Sequence, residues 1–347
     1  MTAMELHGLS LDLTGWFQVA WSSDIGPEQV VALHYFGRDL VAYRGRDGVV
    51  RVHDRHCRHL GASLAHGGCV TDDGIRCPFH GWVWAPDGHN VSIPYQDRPN
   101  KGRKLGTWPV TERNESIYVW HDAAGREPLW EVPDALGGAP HIRDIGFHPA
   151  HPEHHTDLAV HPQMVAENAV DPHHFRFVHR TPISPVTLDE AADGPTWWAR
   201  VGFGKGWSEH ARDADGALRT DTMNTIEILW SGLGVSVNVE HTRDGIRVIS
   251  INTTPVDDGR TEIFATYWID RDSGDHERRL AEAKLALPDD IRIWNHQIYL
   301  DPPALATEEA RGFRAIRRWA TQFYDRPTKE TTCPNGSIRT TGSTRIS

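Results

Sequence analysis

The sequence predicts an α+β protein of two units, and three observations carry that expectation. Between Gly15 and His121 the chain reads as short apolar strands separated by glycine turns. From Thr196 to Ile269 the strands are longer, and VSVNVEH (235–241) alternates apolar and polar residues as a half-buried antiparallel strand does. Two helical stretches follow, HERRLAEAKLALPDDIRIWNHQIYL (276–300) and FRAIRRWATQFY (313–324), which can cover one face of that second sheet.

In chain order, VVALHYF (30–36), DLVAYRG (39–45) and VVRVHD (49–54) are strands joined through Gly37-Arg38 and Asp47-Gly48, and SIYVWHD (116–122) adds another. An all-β unit over 14–135 and a second unit over 136–327 are the expected domains. Residues 123–160, rich in proline, glycine and histidine, read as a connector that carries His151, His154 and His155 in solvent; His161, just beyond, is read with them. MVAENAVDPHHFRFVH (164–179) is helix-like before and around Pro172, and it must bend or end if His179, five beyond His174, is to face the same way, an irregularity that Pro172 permits. Asp215-Gly216, Asp244-Gly245 and Asp258-Gly259 are hairpin signals, and Pro288 predicts a kink in the 276–300 helix. The polar stretch 328–347 is expected to be disordered.

Composition narrows the function. A net charge of -11 excludes a nucleic-acid footprint, which needs a basic surface. No run of about 18 apolar residues is present, so no transmembrane segment is expected. The first ten residues have neither a basic start nor an apolar core, so the expected compartment is the cytoplasm. There, four cysteines point to metal or reactivity before disulfides.

Three of those cysteines lie in CRHLGASLAHGGCVTDDGIRCPFHGW (57–82), patterned as Cys57-x-His59, 17 residues, then Cys77-x-x-His80. Zinc accepts two cysteines and two histidines, but its usual fingers pair cysteine with cysteine and histidine with histidine. Here each loop carries one of each, which suits a [2Fe–2S] cluster of the Rieske type, with two thiolates on one iron and two imidazoles on the other. His56, His66, Cys69 and Cys333 fall outside the pattern.

CRHLGASL…CPFHGW resembles the signature of the Rieske non-heme iron oxygenases. Respiratory Rieske proteins carry an additional disulfide between these loops; Ala62 and Phe79 stand at the comparable positions, so the oxygenase type is implied. ENAVDPHHFRFVH (167–179) is similar to the Asp-x-x-His-x4-His motif of the same family. Asn168, Asp171 and His174 are spaced by three, on one side of a helical turn. The resemblance implies that His174 and His179 bind a mononuclear Fe(II). LPDDIRIWNHQIY (287–299) resembles the family's segment for the third ligand, which points to Asp290, with Asp289 the competitor. It also implies that Asp171 bridges His174 to His80 of a neighbouring subunit, a role set against that of a helix N-cap, and hence a head-to-tail homotrimer. Glu167 and His173 receive no role. Asp171 and Asn168 are the candidate catalytic residues beside the metal ligands.

The implied fold is a Rieske [2Fe–2S] domain followed by a helix-grip-like catalytic domain. The implied reaction uses O2, and electrons reach it from a separate reductase or ferredoxin, because GFGKG (202–206) lacks the strand–turn–helix setting of a nucleotide site. SIPY (92–95), WHD (120–122), DIRIWNHQIYLDPPAL and FRAIRRWATQFY look most like the oxygenase component of ketosteroid hydroxylases. That implies monooxygenation of a bulky apolar molecule, steroid-like or another polycyclic or terpenoid compound. Trp197, Trp198, Trp230, Phe264, Tyr267 and Trp268 are candidates to line its pocket. A ring-hydroxylating dioxygenase or O/N-demethylase shares the same ligands, and a pure electron carrier shares the cluster alone.

Overall fold

The computed structural model describes residues 4–204 and 209–324. The stretch 328–347 with Cys333, and Lys205 and Gly206 of the glycine run, lie outside the described residues. A short hairpin, β1 (Glu5–Leu6) and β2 (Leu9–Ser10), opens the chain. The first unit holds β3 (Gly15–Trp21), β4 (Val30–Tyr35), β5 (Arg38–Arg44), β6 (Val50–Asp54), β7 (Cys69–Thr71), β8 (Gly74–Arg76), β9 (Val83–Trp84), β10 (Asn90–Ser92), β11 (Thr107–Trp108), β12 (Val110–Arg113) and β13 (Ser116–His121). They form three small antiparallel sheets, ordered β10-β9-β8-β7, β11-β6-β5-β4 and β12-β13-β3.

The second unit is one antiparallel sheet of seven strands, ordered β14-β20-β19-β18-β17-β16-β15. Its strands are β14 (His151–Leu158), β15 (Val186–Asp193), β16 (Thr196–Phe203), β17 (Asn224–Ser231), β18 (Val235–Thr242), β19 (Gly245–Pro255) and β20 (Thr261–Ile269). The helices are α1 (Pro162–Glu167), α2 (His174–Phe177), α3 (His276–Ala283), α4 (Ala286–Trp294) and α5 (Ala310–Ala320).

Three expectations need correction, and the bend expected near Pro172 is found. The 123–160 segment is not all connector, because His151–Leu158 pairs with β20 as an edge strand. An edge tolerates Pro152, whose missing N–H can face outward. The 164–179 helix is broken: Asn168–Val170 tightens to a 3-10 turn and Asp171 leaves helical geometry at φ -112°, ψ 80°. Proline disfavours the helical region for the residue before it, which is the physical cause. The 276–300 helix divides at Lys284–Leu285 and ends at Trp294, while Pro288 sits in the first turn of α4, where its missing donor costs nothing. Asp215-Gly216 turns a small side loop bridged at Arg212–Leu218 and does not join long strands.

The two units share one core. Phe17, Val19, Phe36 and Val119 of the first pack in the same apolar cluster as Leu233, Ile263 and Phe264 of the second. Buried polar groups close the seam: Asn252 Nδ2 donates to Gln18 Oε1 (2.7 Å) and Tyr118 OH (3.2 Å), and Thr254 Oγ1 donates to Gln18 O (2.6 Å). Gly234 is required there, because a Cβ would lie 2.3 Å from Trp16 O.

Candidate metal centres

The two cysteine loops, between β6 and β7 and between β8 and β9, have one design. Each cysteine N–H donates to a carbonyl five residues on, Cys57 to Ala62 (2.9 Å) and Cys77 to Trp82 (2.8 Å). Each glycine N–H donates back, Gly61 to Cys57 O (2.9 Å) and Gly81 to Cys77 O (3.1 Å). Gly61 and Gly81 take φ of +79° and +72°, open to a residue without Cβ.

Folding brings all four predicted residues together. Cys57 and Cys77 are buried free thiols, and the His59 and His80 rings lie 4.7 Å apart. Burial pushes the Cys57 thiol up; the His59 backbone N–H and Trp84 Nε1, at 3.3 Å from the sulfur, act against it by favouring thiolate. Trp82 stacks on His59 at 4.4 Å and donates to Tyr95 OH (2.7 Å). Two buried sulfurs with N–H donors aimed at one of them, and two imidazoles at the surface, fit a cluster held by two thiolates and two imidazoles. His56 and His66 are exposed, and Cys69 Sγ accepts from Arg76 Nε.

The second constellation depends on the break at Asp171. Asp171 Oδ1 accepts from the N–H groups of His173 (3.1 Å) and His174 (3.2 Å), so it caps the restarted turn α2. His174 Nδ1 bonds the Asp171 carbonyl, which directs Nε2 away. His174 Nε2 lies 4.0 Å and His179 Nε2 3.3 Å from Asp290 Oδ1 on α4. All three ligand atoms lie within 4.8 Å of one another. Burial lowers the His174 pKa, although Asp290 and Asp171 oppose it, and so favours the neutral, metal-binding imidazole. Two imidazole nitrogens and one carboxylate oxygen on one side fit Fe(II) with open positions opposite. Asp289 instead accepts from Arg292 (3.0 Å), and His173 turns to Ser184 Oγ (3.3 Å).

A cavity of about 130 Å3 adjoins the triad. Alternate residues of three strands line it: Ile226, Ile228 and Trp230; Ser236, Asn238 and Glu240; Ile249 and Ile251. Asn168 and Tyr267 complete its polar wall. The Tyr267 OH is buried with no hydrogen-bond partner, and burial first, then Glu153, raises its pKa. Of the six aromatic candidates only Trp230 and Tyr267 line this cavity. Trp197 packs on Trp319, Phe264 stacks on His154, and Trp268 belongs to a separate cluster with Val237, Val239 and Val248. Adjacent strand residues face opposite ways, so neither 197–198 nor 267–268 can supply both. The isoleucines were missed because alternation marks a strand without saying which face meets the site.

Sequence also gave no role to Glu167. It is buried and forms a two-point ion pair with Arg317 of α5, Nε to Oε1 and Nη2 to Oε2 both at 3.0 Å. Gln163 Nε2 joins it at 3.0 Å. His161, expected in solvent, is buried as the N-cap of α1.

Comparison with known proteins assigns both units to known families. Residues 15–109 match the family "Rieske [2Fe-2S] domain" and residues 119–324 match "3-Ketosteroid 9alpha-hydroxylase C-terminal domain". The chain is 29% identical over 323 residues to cholesterol 7-desaturase nvd of Bombyx mori, covering 89% of this chain and 69% of that protein. It is 27% identical over 333 residues to the probable 3-ketosteroid-9-alpha-monooxygenase oxygenase component of Rhodococcus rhodochrous, covering 89% and 79%. Among solved structures, dicamba monooxygenase bound to dicamba superposes with TM-score 0.66 at 16% identity, covering 90% of this chain and 98% of that one. Pseudomonas putida CBB5 NdmA with caffeine gives 0.67 at 16%, covering 88% and 89%, a likeness of fold. With its Rieske domain in front and the 3-ketosteroid 9alpha-hydroxylase C-terminal domain over more than half its length, this chain belongs to the Rieske oxygenases of that family.

Proposed function

We propose that the chain is the terminal oxygenase of a multicomponent system that hydroxylates a C–H bond of a steroid-like substrate. The observation that supports this most is the convergence of His174, His179 and Asp290 at the end of a cavity walled by alternating isoleucines. When bound, a cluster at Cys57, His59, Cys77 and His80 supplies single electrons, and Fe(II) at the triad supplies open positions for O2. The chain's own work is to orient, to exclude water and to hold protons. Ile226, Ile228, Ile249 and Ile251 desolvate an apolar skeleton. The cavity, at about 130 Å3, is smaller than the roughly 300–1,000 Å3 of most ligand sites, so a bulky substrate must part its walls. The sheet is laced by its ladder, which leaves the helical side, Val165 to His179 and Ala283 to Trp294, as the wall that moves.

Asp171 in this reading links the two centres across subunits. Its Oδ1 caps α2, while Oδ2 stands 3.8 Å from His174 Nδ1 and serves the cluster histidine of a neighbouring chain. Exposed Leu60 and Phe79 beside the cluster ligands, and Phe177 beside the triad, are the apolar surfaces a head-to-tail trimer would cover. The donor is a separate reductase or ferredoxin, and the compartment is the cytoplasm; no helix among the described residues is long and apolar enough to cross a membrane.

Overall, substrate, O2, two electrons and two protons give hydroxylated product and one water. The desaturase relatives favour a second reading, in which two hydrogens leave the substrate and both oxygens become water. Iron-reconstituted protein with a surrogate reductase, a steroid panel and labelled O2 decides. One label per product is expected; an unlabelled alkene establishes desaturation, two labels mean dioxygenation, and loss of a methyl group means demethylation. No turnover of any steroid, with turnover of another compound class, would sink the steroid assignment.

A further inference from the structure

A second set of metal-ligating side chains lies on the opposite face of the seven-stranded sheet. Ile226 and Ile228 of β17 face the cavity, so Glu227 between them faces away. In the β17–β18 ladder Thr225 pairs with His241 and Glu227 with Val239, which makes Glu227 and His241 diagonal neighbours on that far face. The 135–150 segment crosses the same face, anchored by Ala135 and Ile142 on Val237, Val239 and Trp268. It delivers His141 to the pair.

Three ligand atoms, one from each residue, fall within 4.8 Å of one another. His141 Nε2 is 3.4 Å from Glu227 Oε2, and His241 Nε2 is 3.8 Å from Glu227 Oε1. The imidazole rings are 5.0 Å apart. His241 Nε2 is buried and has no hydrogen-bond partner. The side chains therefore converge on a shared point and leave one buried nitrogen unsatisfied, a state that costs free energy unless something else binds it. Zinc takes imidazole nitrogen and carboxylate oxygen at about 2.0–2.2 Å, which sets tetrahedral neighbours roughly 3.3 Å apart. The present spacings need only small side-chain adjustments to meet that.

We propose that His141, Glu227 and His241 form a second divalent-metal site, of zinc type, that staples the segment between the two domains to the back of the catalytic sheet. Two nitrogens and one oxygen suit zinc with water as the fourth ligand. His141 is exposed, so the ion enters from solvent without disturbing the core. Arg200 stands directly opposite Glu227 in the β16–β17 ladder and opposes a bound cation. Replacing it by leucine should tighten binding. The site is separate from the triad of His174, His179 and Asp290, so occupancy should not displace iron.

The test uses the iron-loaded full chain. Zinc is titrated in, excess is removed, and zinc and iron are counted together in the wild type, His141→Ala and His241→Ala. The expected result is about one zinc per chain with all iron retained, loss of that zinc in both variants, and a rise in melting temperature on zinc addition that only the wild type shows. If His241→Ala fails to fold, His141→Ala on the exposed segment still decides. Zinc uptake matched by iron loss, uptake unchanged in His141→Ala, or no uptake would each overturn the proposal.

Discussion

Asp290 and Asp171 do different work although both stand beside His174. Asp290 faces the two imidazole nitrogens, so Asp290→Ala should keep the visible absorption of the cluster and lose the mononuclear iron by metal analysis. Asp289→Ala should lose neither, since that side chain points to Arg292. Asp171→Asn separates capping from charge, because asparagine caps a helix as well as aspartate. The variant should keep both iron centres and lower turnover by roughly 10–100-fold, the range for outer-shell partners of metal ligands. Normal turnover would reduce Asp171 to a cap. At Tyr267 the buried phenol waits without a partner in the cavity. Tyr267→Phe should leave thermal stability unchanged or slightly raised, yet weaken binding of a substrate that offers an oxygen by about tenfold, the worth of one hydrogen bond. An unchanged KM across oxygenated substrates would remove that role.

Among the elements, the break between α1 and α2 decides the site. An unbroken helix would send His179 to a different side from His174, as five residues span 500° at 3.6 per turn. α1 ends at Glu167, the 3-10 turn after it stops at Asp171 before Pro172, Asp171 caps the restart as α2, and Arg180 at φ +57° turns the chain just after His179. The helices are held to one another by the buried pair Glu167–Arg317 and its neighbours Gln163, Tyr299 and Tyr324. Glu167→Ala leaves the half-buried Arg317 with its bond to Leu300 O but without a counter-charge, and should cost about 1.5–3 kcal/mol of stability by denaturant unfolding, the range for a hydrogen bond to a charged group. A loss below about 1 kcal/mol would show that water reaches Arg317 and compensates. That pair could not be read from sequence, because its partners are separated by 150 positions.

For the whole molecule, the continuous core and the Gln18–Asn252 seam make the two units one folded body, and buried histidines, His53 and His161 among them, contribute to its acid limit. Burial lowers His53 and His161 to about 4 each. His161 Nε2 meets Ser10 O and its Nδ1 accepts from Gln163 N, so the neutral tautomer is fixed. The unfolded chain takes these protons near pH 6.5, before the folded one does. Stability is therefore complete above about pH 6.5, falls as pH drops toward 4, and levels below that, by up to roughly 3 kcal/mol per histidine. His161→Asn keeps a capping side chain without the titration, and should flatten the decline in denaturant midpoint between pH 7.5 and 5. An equally steep decline would assign it to other groups.

Much of this was legible in the chain itself. The residues proposed to hold the cluster are local: Cys57, His59, Cys77 and His80 sit in two short turns that use Gly61 and Gly81, so their spacing could be read directly from the chain. The strands of both units were marked by alternation and turn residues, and His174 and His179 by their motif. Only tertiary structure decided which of two adjacent aspartates faces those histidines, which side of each strand meets the cavity, that His151–Leu158 is a strand, and that Glu167 has a partner. These outcomes depend on contacts between residues far apart in the sequence, and a pattern of short period carries no information about which distant face it will meet.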